Sequence, residues 1–293
     1  MTGTLYRLSA FTRDPKGGNP AGVWLGETLP DPGTMRRIAA EVGYSETAFL
    51  APRHGETRQV RYYSPEAEVS FCGHATVAAG VLLGRLEGAG TYRLATSVGE
   101  VPVTVEQDGD GWRASLVSVA PAVRAAASEL VEAALASLGW QAHELDPALP
   151  PALAYAGAWH LVLAVATRER LDALNYDFAA LKALMQRERL TTLQLVWRES
   201  AMRFHARDPF PVGGVVEDPA TGAAAAALGG YLRAAGLIDT PTRLTILQGE
   251  AMGRPSRLEV AVPSSGGIVV TGTAVDLEPT SRRPRRQPRH GGP

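Results

Sequence analysis

The feature that most limits how this chain can fold is the run Ala75 to Gly84, ATVAAGVLLG, which has no polar face after Thr76. A helix that is apolar on every side must be surrounded by protein, because a surface helix carries a charged stripe. The run is too short to cross a bilayer, which takes roughly 20 apolar residues. It therefore predicts a buried central helix, entered through Phe71-Cys72-Gly73-His74 and preceded by an alternating run from Arg61 and a Ser64-Pro65 turn. Gly73 lets another group approach the backbone closely at that entry. The free N–H groups at a buried helix start form a natural anion site.

The same construction recurs at residues 217–230, EDPATGAAAAALGG. Aligning Ala75–Ala79 on Ala220–Ala224 gives A-T-x-A-A in both, and Arg61-Tyr62-Tyr63 upstream is echoed by Arg203-Phe204-His205. Internal similarity of this kind predicts two related halves rather than a solenoid array.

Several short pieces carry a resemblance to a known family. They are Ala10-Phe11 with Gly18-Asn19-Pro20-Ala21-Gly22-Val23, Ser45-Glu46-Thr47-Ala48-Phe49, Ser64-Pro65 with Glu68-Val69, and Phe71 to Thr76. In the second half they are Glu217 to Gly222, and Gln248-Gly249 with Gly253-Arg254-Pro255. In this order the chain resembles the phenazine-biosynthesis PhzF-like isomerases, relatives of diaminopimelate epimerase and proline racemase. The resemblance implies an α+β fold of two similar domains, each a curved mixed sheet or barrel wrapped round one buried helix, with the active site in the cleft between them. It also implies a homodimer, and a last strand able to return to the first domain.

Composition narrows the chemistry. The net charge of −1 with interspersed signs gives no electrostatic case for nucleic acid or a membrane surface. Lys16 and Lys182 are the only lysines; one lies in a Pro/Gly loop and the other on an amphipathic helix, so neither suits a pyridoxal Schiff base. Cys72 is the only cysteine, which excludes internal disulfides and a two-thiol racemase and makes a cysteine-built zinc site implausible. No cofactor or metal is expected, and Cys72 reads as a buried packing residue. The N-terminus lacks a signal pattern, so a reducing cytoplasm is the expected compartment.

Taken in order, Leu5–Phe11 alternates as a strand and a Gly/Pro loop runs through Gly22. Met35, Ile38, Ala39 and Val42 lie at helical spacing after Pro30-Asp31-Pro32-Gly33, and Gly43 ends that helix. Strands are predicted at 45–50, 91–97, 101–107 and 112–117, with a hairpin turn at 108–111. The boundary between halves falls at Val119-Ala120-Pro121, giving domains 1–118 and 119–279. In the second, a helix over 128–138 precedes one long strand over 156–166 and a broken helix over 171–189. Strands follow at 193–198, 201–206, 244–248, 258–262 and 268–275. Residues 280–293, TSRRPRRQPRHGGP, read as a solvated basic tail.

Glu46 is the expected acid/base, because the period of two places it on one strand face with Ala48 and Leu50. A carboxylate on an apolar face is stripped of water, which suits it to take up and return a proton. His74 and Asp218 stand at the two helix entries, where the resemblance gives both a part in proton transfer and substrate placement. On pattern alone, His74 also fits a neutral histidine bonded to backbone, and Asp218 an N-cap with Pro219 at the first helical position. His160 and His205 read as core or strand residues. Asn19, Gly73, Gly222 and Ala223 are the expected substrate contacts, with backbone N–H groups at both helix entries holding a carboxylate. Many relatives carry serine where this chain has Ala223, which favours a different substrate. The reading is a cofactor-independent isomerase of a small carboxylate. A two-base epimerase using Glu46 and Asp218, and a catalytically silent binding protein, are its alternatives.

Overall fold

The computed structural model describes residues 3–277, so the basic tail expected over 280–293 lies outside the described residues. The chain opens with β1 (Gly3–Ala10), β2 (Asn19–Gly26), α1 (Pro32–Val42), β3 (Glu46–His54), β4 (Thr57–Tyr63) and the two-residue β5 (Glu68–Val69). Next come α2 (Gly73–Glu87), β6 (Gly90–Thr96), β7 (Gly99–Asp108) and β8 (Gly111–Val117). The second part contains β9 (Ala122–Ala125), α3 (Ser128–Leu138), β10 (Ala152–Tyr155), β11 (Trp159–Val165), α4 (Arg168–Asp172) and α5 (Phe178–Glu188). It ends with β12 (Thr192–Ser200), β13 (Arg203–Pro209), β14 (Glu217–Asp218), α6 (Gly222–Ala234), β15 (Thr242–Gln248), β16 (Ser256–Val262) and β17 (Val269–Asp276).

The first barrel closes through β1-β2-β3-β4-β6-β7-β8-β17 and back to β1, with β2–β3 and β4–β6 parallel and the remaining pairs antiparallel. Its contents are α2, whose residues His74 to Gly84 are all buried. The apolar side chains of Leu8, Val23, Leu50, Val60, Leu94 and Val103 close over it in one core. The helix fits only because its own side chains are small. A Cβ at Gly84 would come 2.5 Å from Val105 Cγ1, and one at Gly80 would come 2.8 Å from both Ala114 Cβ and Val103 Cγ1.

The second sheet runs β9-β10-β11-β12-β13-β15-β16-β17 and curls round α6, whose residues Ala224 to Leu232 are buried. Strand β17 belongs to both structures. Residues 269–271 pair with β16 and residues 269–273 with β8, while Ala274 to Asp276 pair with β1. Helices α3, α4 and α5 cover the outer face of β10–β12 through a separate cluster including Leu130, Leu138, Leu161, Leu181 and Met185. Outside the first barrel, α1 starts where Asp31 accepts the Thr34 N–H and stops at the left-handed Gly43. The fold class is therefore the one expected: two similar units, each a curved mixed sheet around one buried helix.

Three local expectations are corrected. The loop expected through Gly22 is in its last part strand β2, held on one side by β1 and on the other by β3. Its Gly and Pro composition disguises it, because both neighbours come from outside the segment. The single strand expected at 156–166 is the second arm of a hairpin, with Ala152–Tyr155 pairing on Trp159–Val165 around Gly157 at φ +117°. Helix α6 begins at Gly222 rather than at Pro219, so Asp218 is not its N-cap.

Candidate active site

Glu46 opens β3, opposite Ala21 of β2. Along the same face Ala48 and Leu50 are fully buried, whereas the Glu46 side chain keeps 17% of its surface open. The carboxylate is thus seated at the barrel mouth with its stem in apolar surroundings. Its Oε2 lies 3.4 Å from His74 Nε2 and 3.6 Å from Cys72 Sγ. The thiol also lies 3.3 Å from His74 Nδ1, and Ser45 Oγ lies 3.3 Å from His74 Nε2. Histidine and glutamate therefore meet side chain to side chain, which sets aside the reading of His74 as a residue bonded only to backbone.

The α2 entry that carries these groups is fixed from below. Thr76 Oγ1 donates to the Cys72 carbonyl at 2.6 Å and shares a 2.6 Å hydrogen bond with Tyr62 OH. Cys72, read from the sequence as packing, is buried but belongs to the polar cluster. Burial first, and then the Glu46 carboxylate, push its thiol well above the usual range, so it stays protonated beside Glu46.

Asp218 faces this group from the other half. Its Oδ1 accepts from Asn19 Nδ2 at 2.8 Å and its Oδ2 from Thr221 Oγ1 at 2.6 Å. Burial pushes its pKa up, and the Glu46 charge adds to that, whereas His74, Thr221 and Asn19 act in the opposite direction. Asn19, expected as a substrate contact, spends its amide on Asp218 and on the Ala220 carbonyl at 3.1 Å. Its evident work is to hold the second helix entry against the first barrel.

The turn from Asp218 to Gly222 has a further support that the sequence reading gave no role. Gln248 Nε2 donates to the Asp218 carbonyl at 2.8 Å and to Thr221 Oγ1 at 3.1 Å, and its Oε1 accepts the Thr221 N–H. Gly249 beside it stands at φ +75°, and a Cβ there would come 2.4 Å from the Arg254 carbonyl oxygen and 2.7 Å from that of Pro219. Arg254 reaches back to the first half, donating to the Gly18 and Gly17 carbonyls and to Ser9 Oγ. The signal for both residues was their place in the Gln248-Gly249 and Gly253-Arg254 pieces; their contacts, 27 to 245 positions away, were invisible.

Gly73, Gly222 and Ala223 sit in the first turns of α2 and α6, all three partly exposed. The two helix starts thus lie beside Glu46 and Asp218, and backbone N–H groups in the first turn of a helix suit an anion. His160 and His205 lie elsewhere. His160 is fully buried with Nδ1 on Thr192 Oγ1, and His205 stands between Glu199 and Glu250.

The chain is similar to proteins of one family. The family profile described as Phenazine biosynthesis-like protein (PhzC-PhzF) matches residues 8–279. An Escherichia coli K12 protein named uncharacterized isomerase YddE is 31% identical over 290 residues, covering 94% of this chain and 97% of its own length. The trans-2,3-dihydro-3-hydroxyanthranilate isomerase of Pseudomonas fluorescens is 31% identical over 253 residues, covering 85% of this chain and 86% of its own. Among solved structures, a predicted epimerase of Pseudomonas aeruginosa, PA4716, superposes with a TM-score of 0.82 at 25% identity, covering 94% of this chain and 96% of its own. A Bacillus anthracis PhzF-family protein gives the same TM-score at 24% identity over 95% and 98%, and so speaks for the fold. A family match over nearly the whole chain, with isomerases among the relatives, places this protein in the phenazine biosynthesis-like (PhzC-PhzF) family as an isomerase.

Proposed function

We propose that the cleft moves a proton, and with it a double bond, on a small carboxylate-bearing substrate without a cofactor. Glu46 takes a proton from carbon and returns it to another carbon of the same molecule. The observation that carries this reading is the setting of Glu46, partly open to the cleft and within 3.4 Å of His74 Nε2. That neighbour can steady the carboxylate or pass it a proton. Asp218, kept toward its protonated form by burial, is suited to donate a hydrogen bond or a proton to the substrate. The starts of α2 and α6 hold the substrate anion, each contributing about 0.3–2 kcal/mol.

A two-base epimerase needs a second free carboxylate. Burial pushes the Asp218 pKa up and so disfavours the ionised form that a second base requires, which favours the single-base shuttle. The Pseudomonas fluorescens relative is named for trans-2,3-dihydro-3-hydroxyanthranilate, and a conjugated carboxylate of that class is the first substrate to try.

Glu46→Gln keeps the shape of the side chain but cannot shuttle a proton. Turnover is expected to fall about 10²–10⁴-fold, with little change in substrate affinity. In deuterated water the native enzyme places deuterium on the receiving carbon and the variant places none. Near-native turnover in the variant overturns the assignment.

A further inference from the structure

Glu46, Cys72 and His74 offer a carboxylate oxygen, a thiol sulfur and an imidazole nitrogen that all lie within 4.8 Å of one another. A tetrahedral zinc ion bound at usual lengths holds its nitrogen and oxygen ligands about 3.4 Å apart, and its sulfur about 3.6 Å from either. Here His74 Nε2–Glu46 Oε2 is 3.4 Å, Cys72 Sγ–Glu46 Oε2 is 3.6 Å and Cys72 Sγ–His74 Nε2 is 3.8 Å. Three side chains thus approximate one face of a zinc tetrahedron. A single cysteine weighs against an all-thiol zinc site, whereas mixed thiolate, imidazole and carboxylate sets also bind zinc.

We propose that this trio captures a thiophilic divalent cation of the zinc class, and that capture switches the isomerase off. The proposal rests on the preceding reading of Glu46 for its effect on turnover, but not for the binding itself. Cys72 Sγ is closer to His74 Nδ1, at 3.3 Å, than to Nε2, so the ring turns to aim Nε2 at the ion. The ring's side-chain contacts include the thiol, Glu46 and the Ser45 hydroxyl. As the zinc–sulfur bond forms, the thiol releases its proton to solvent. The three side chains leave a fourth position for water. Asp218 does not fill it while its oxygens remain with Asn19 and Thr221. Once an oxygen of Glu46 is a metal ligand its lone pair is engaged, and the proton shuttle stops.

The test uses the full chain under reducing conditions, with no substrate. Zinc is titrated against a chromophoric chelator, and cobalt(II) serves as the spectroscopic probe. One ion per chain is expected, with a thiolate-to-cobalt charge-transfer band. Cys72→Ser is expected to abolish that band and weaken zinc binding about a hundredfold or more, since loss of even an outer partner costs about 10–100-fold. Glu46→Gln weakens zinc binding but leaves the band. Thermal melting of each variant establishes that it is folded, and Cys72→Ala serves if the serine variant is not. Absence of stoichiometric binding in the native protein overturns the proposal, as does binding that survives in folded Cys72→Ser or Cys72→Ala. Failure of the Glu46 shuttle would instead appear as near-native turnover of metal-free Glu46→Gln, a separate measurement.

Discussion

Asn19 Nδ2 donates to Asp218 Oδ1 at 2.8 Å across 199 positions of sequence, tying the first residue of β2 to the acid before α6. This bond ties the α6 entry to the first barrel. It also supplies Asp218 with a donor that stabilises its ionised form against the burial that opposes it.

Removing that donor has a readable consequence. Asn19→Ala leaves Asp218 with Thr221 alone, so burial is expected to push its pKa further up. The carboxyl carbon of Asp218, followed by NMR in aspartate-labelled protein, should titrate at higher pH than in the native chain. Losing a donor to the ionised form favours the protonated acid that the proposed mechanism uses, so turnover should persist to higher pH than in the native chain. An unchanged titration would show that the bond does not govern Asp218.

A second expectation concerns space inside the barrel. Gly84→Ala in an ordinary helix gains about 1 kcal/mol, because glycine is the poorer helix former. Here the added methyl would sit 2.5 Å from Val105 Cγ1 and 2.7 Å from the Trp112 ring. Overpacking a filled core costs about 1–3 kcal/mol, so the net change should be a loss. Denaturant unfolding measures it, and a more stable variant would mean that the barrel wall yields freely.

Much of this architecture was legible because burial on all sides leaves a compositional mark. ATVAAGVLLG and GAAAAALGG have no polar stripe, and both became helices surrounded by sheet. The position of Glu46 was legible because the period of two puts it on one face of β3 with Ala48 and Leu50, both fully buried. Cys72 is buried in the core as expected, but its contacts with Glu46 and His74 were hidden, because a strand and a helix turn bring them together rather than any spacing that signals chemistry. The role of Asn19 was hidden because its partner lies in the other half. The first part of strand β2, Asn19 to Gly22, was missed because pairing on both sides, rather than β-forming residues, makes it strand. The position of α6 was misjudged by three residues because Asp-Pro imitates a helix start, while Gln248 holds Asp218–Thr221 in a turn.

Asp208 carries a third prediction. It is fully buried in β13, opposite Asp218 in β14, and the Gln194 amide lies 3.0–3.1 Å from its two oxygens, oriented to donate. Burial pushes its pKa well above the ordinary 3.8, the Thr221 hydroxyl opposes this, and Asp218 and Glu217 add to it. An acid raised in this way binds its proton more tightly in the folded chain than in the unfolded one. That stabilisation is complete below pH 3.8 and is lost as pH rises through the folded pKa. Asp208→Asn has no such proton, so its stability relative to the native chain should improve steadily from pH 4 upward. Asp208→Ala strands the Gln194 amide and should cost about 1–3 kcal/mol at pH 4. Parallel pH curves for the native chain and the Asp208→Asn variant would mean that Asp208 ionises normally.

The last prediction concerns the anion pocket at α6. Ala223 is the second residue of that helix and is partly exposed beside the cleft. A hydroxyl there would stand next to the helix N–H groups and within reach of a bound carboxylate. Ala223→Ser should therefore tighten planar carboxylate analogues by about 0.5–1.5 kcal/mol, the net worth of one added hydrogen bond. Calorimetric titration of benzoate-type and dihydrobenzoate-type acids against both proteins measures this. An effect confined to acids with a small ring substituent would show that the native substrate fills the space beside Ala223 with apolar atoms. Weakening for every carboxylate tested would place the anion elsewhere and leave the α2 entry, at Gly73, as its remaining site.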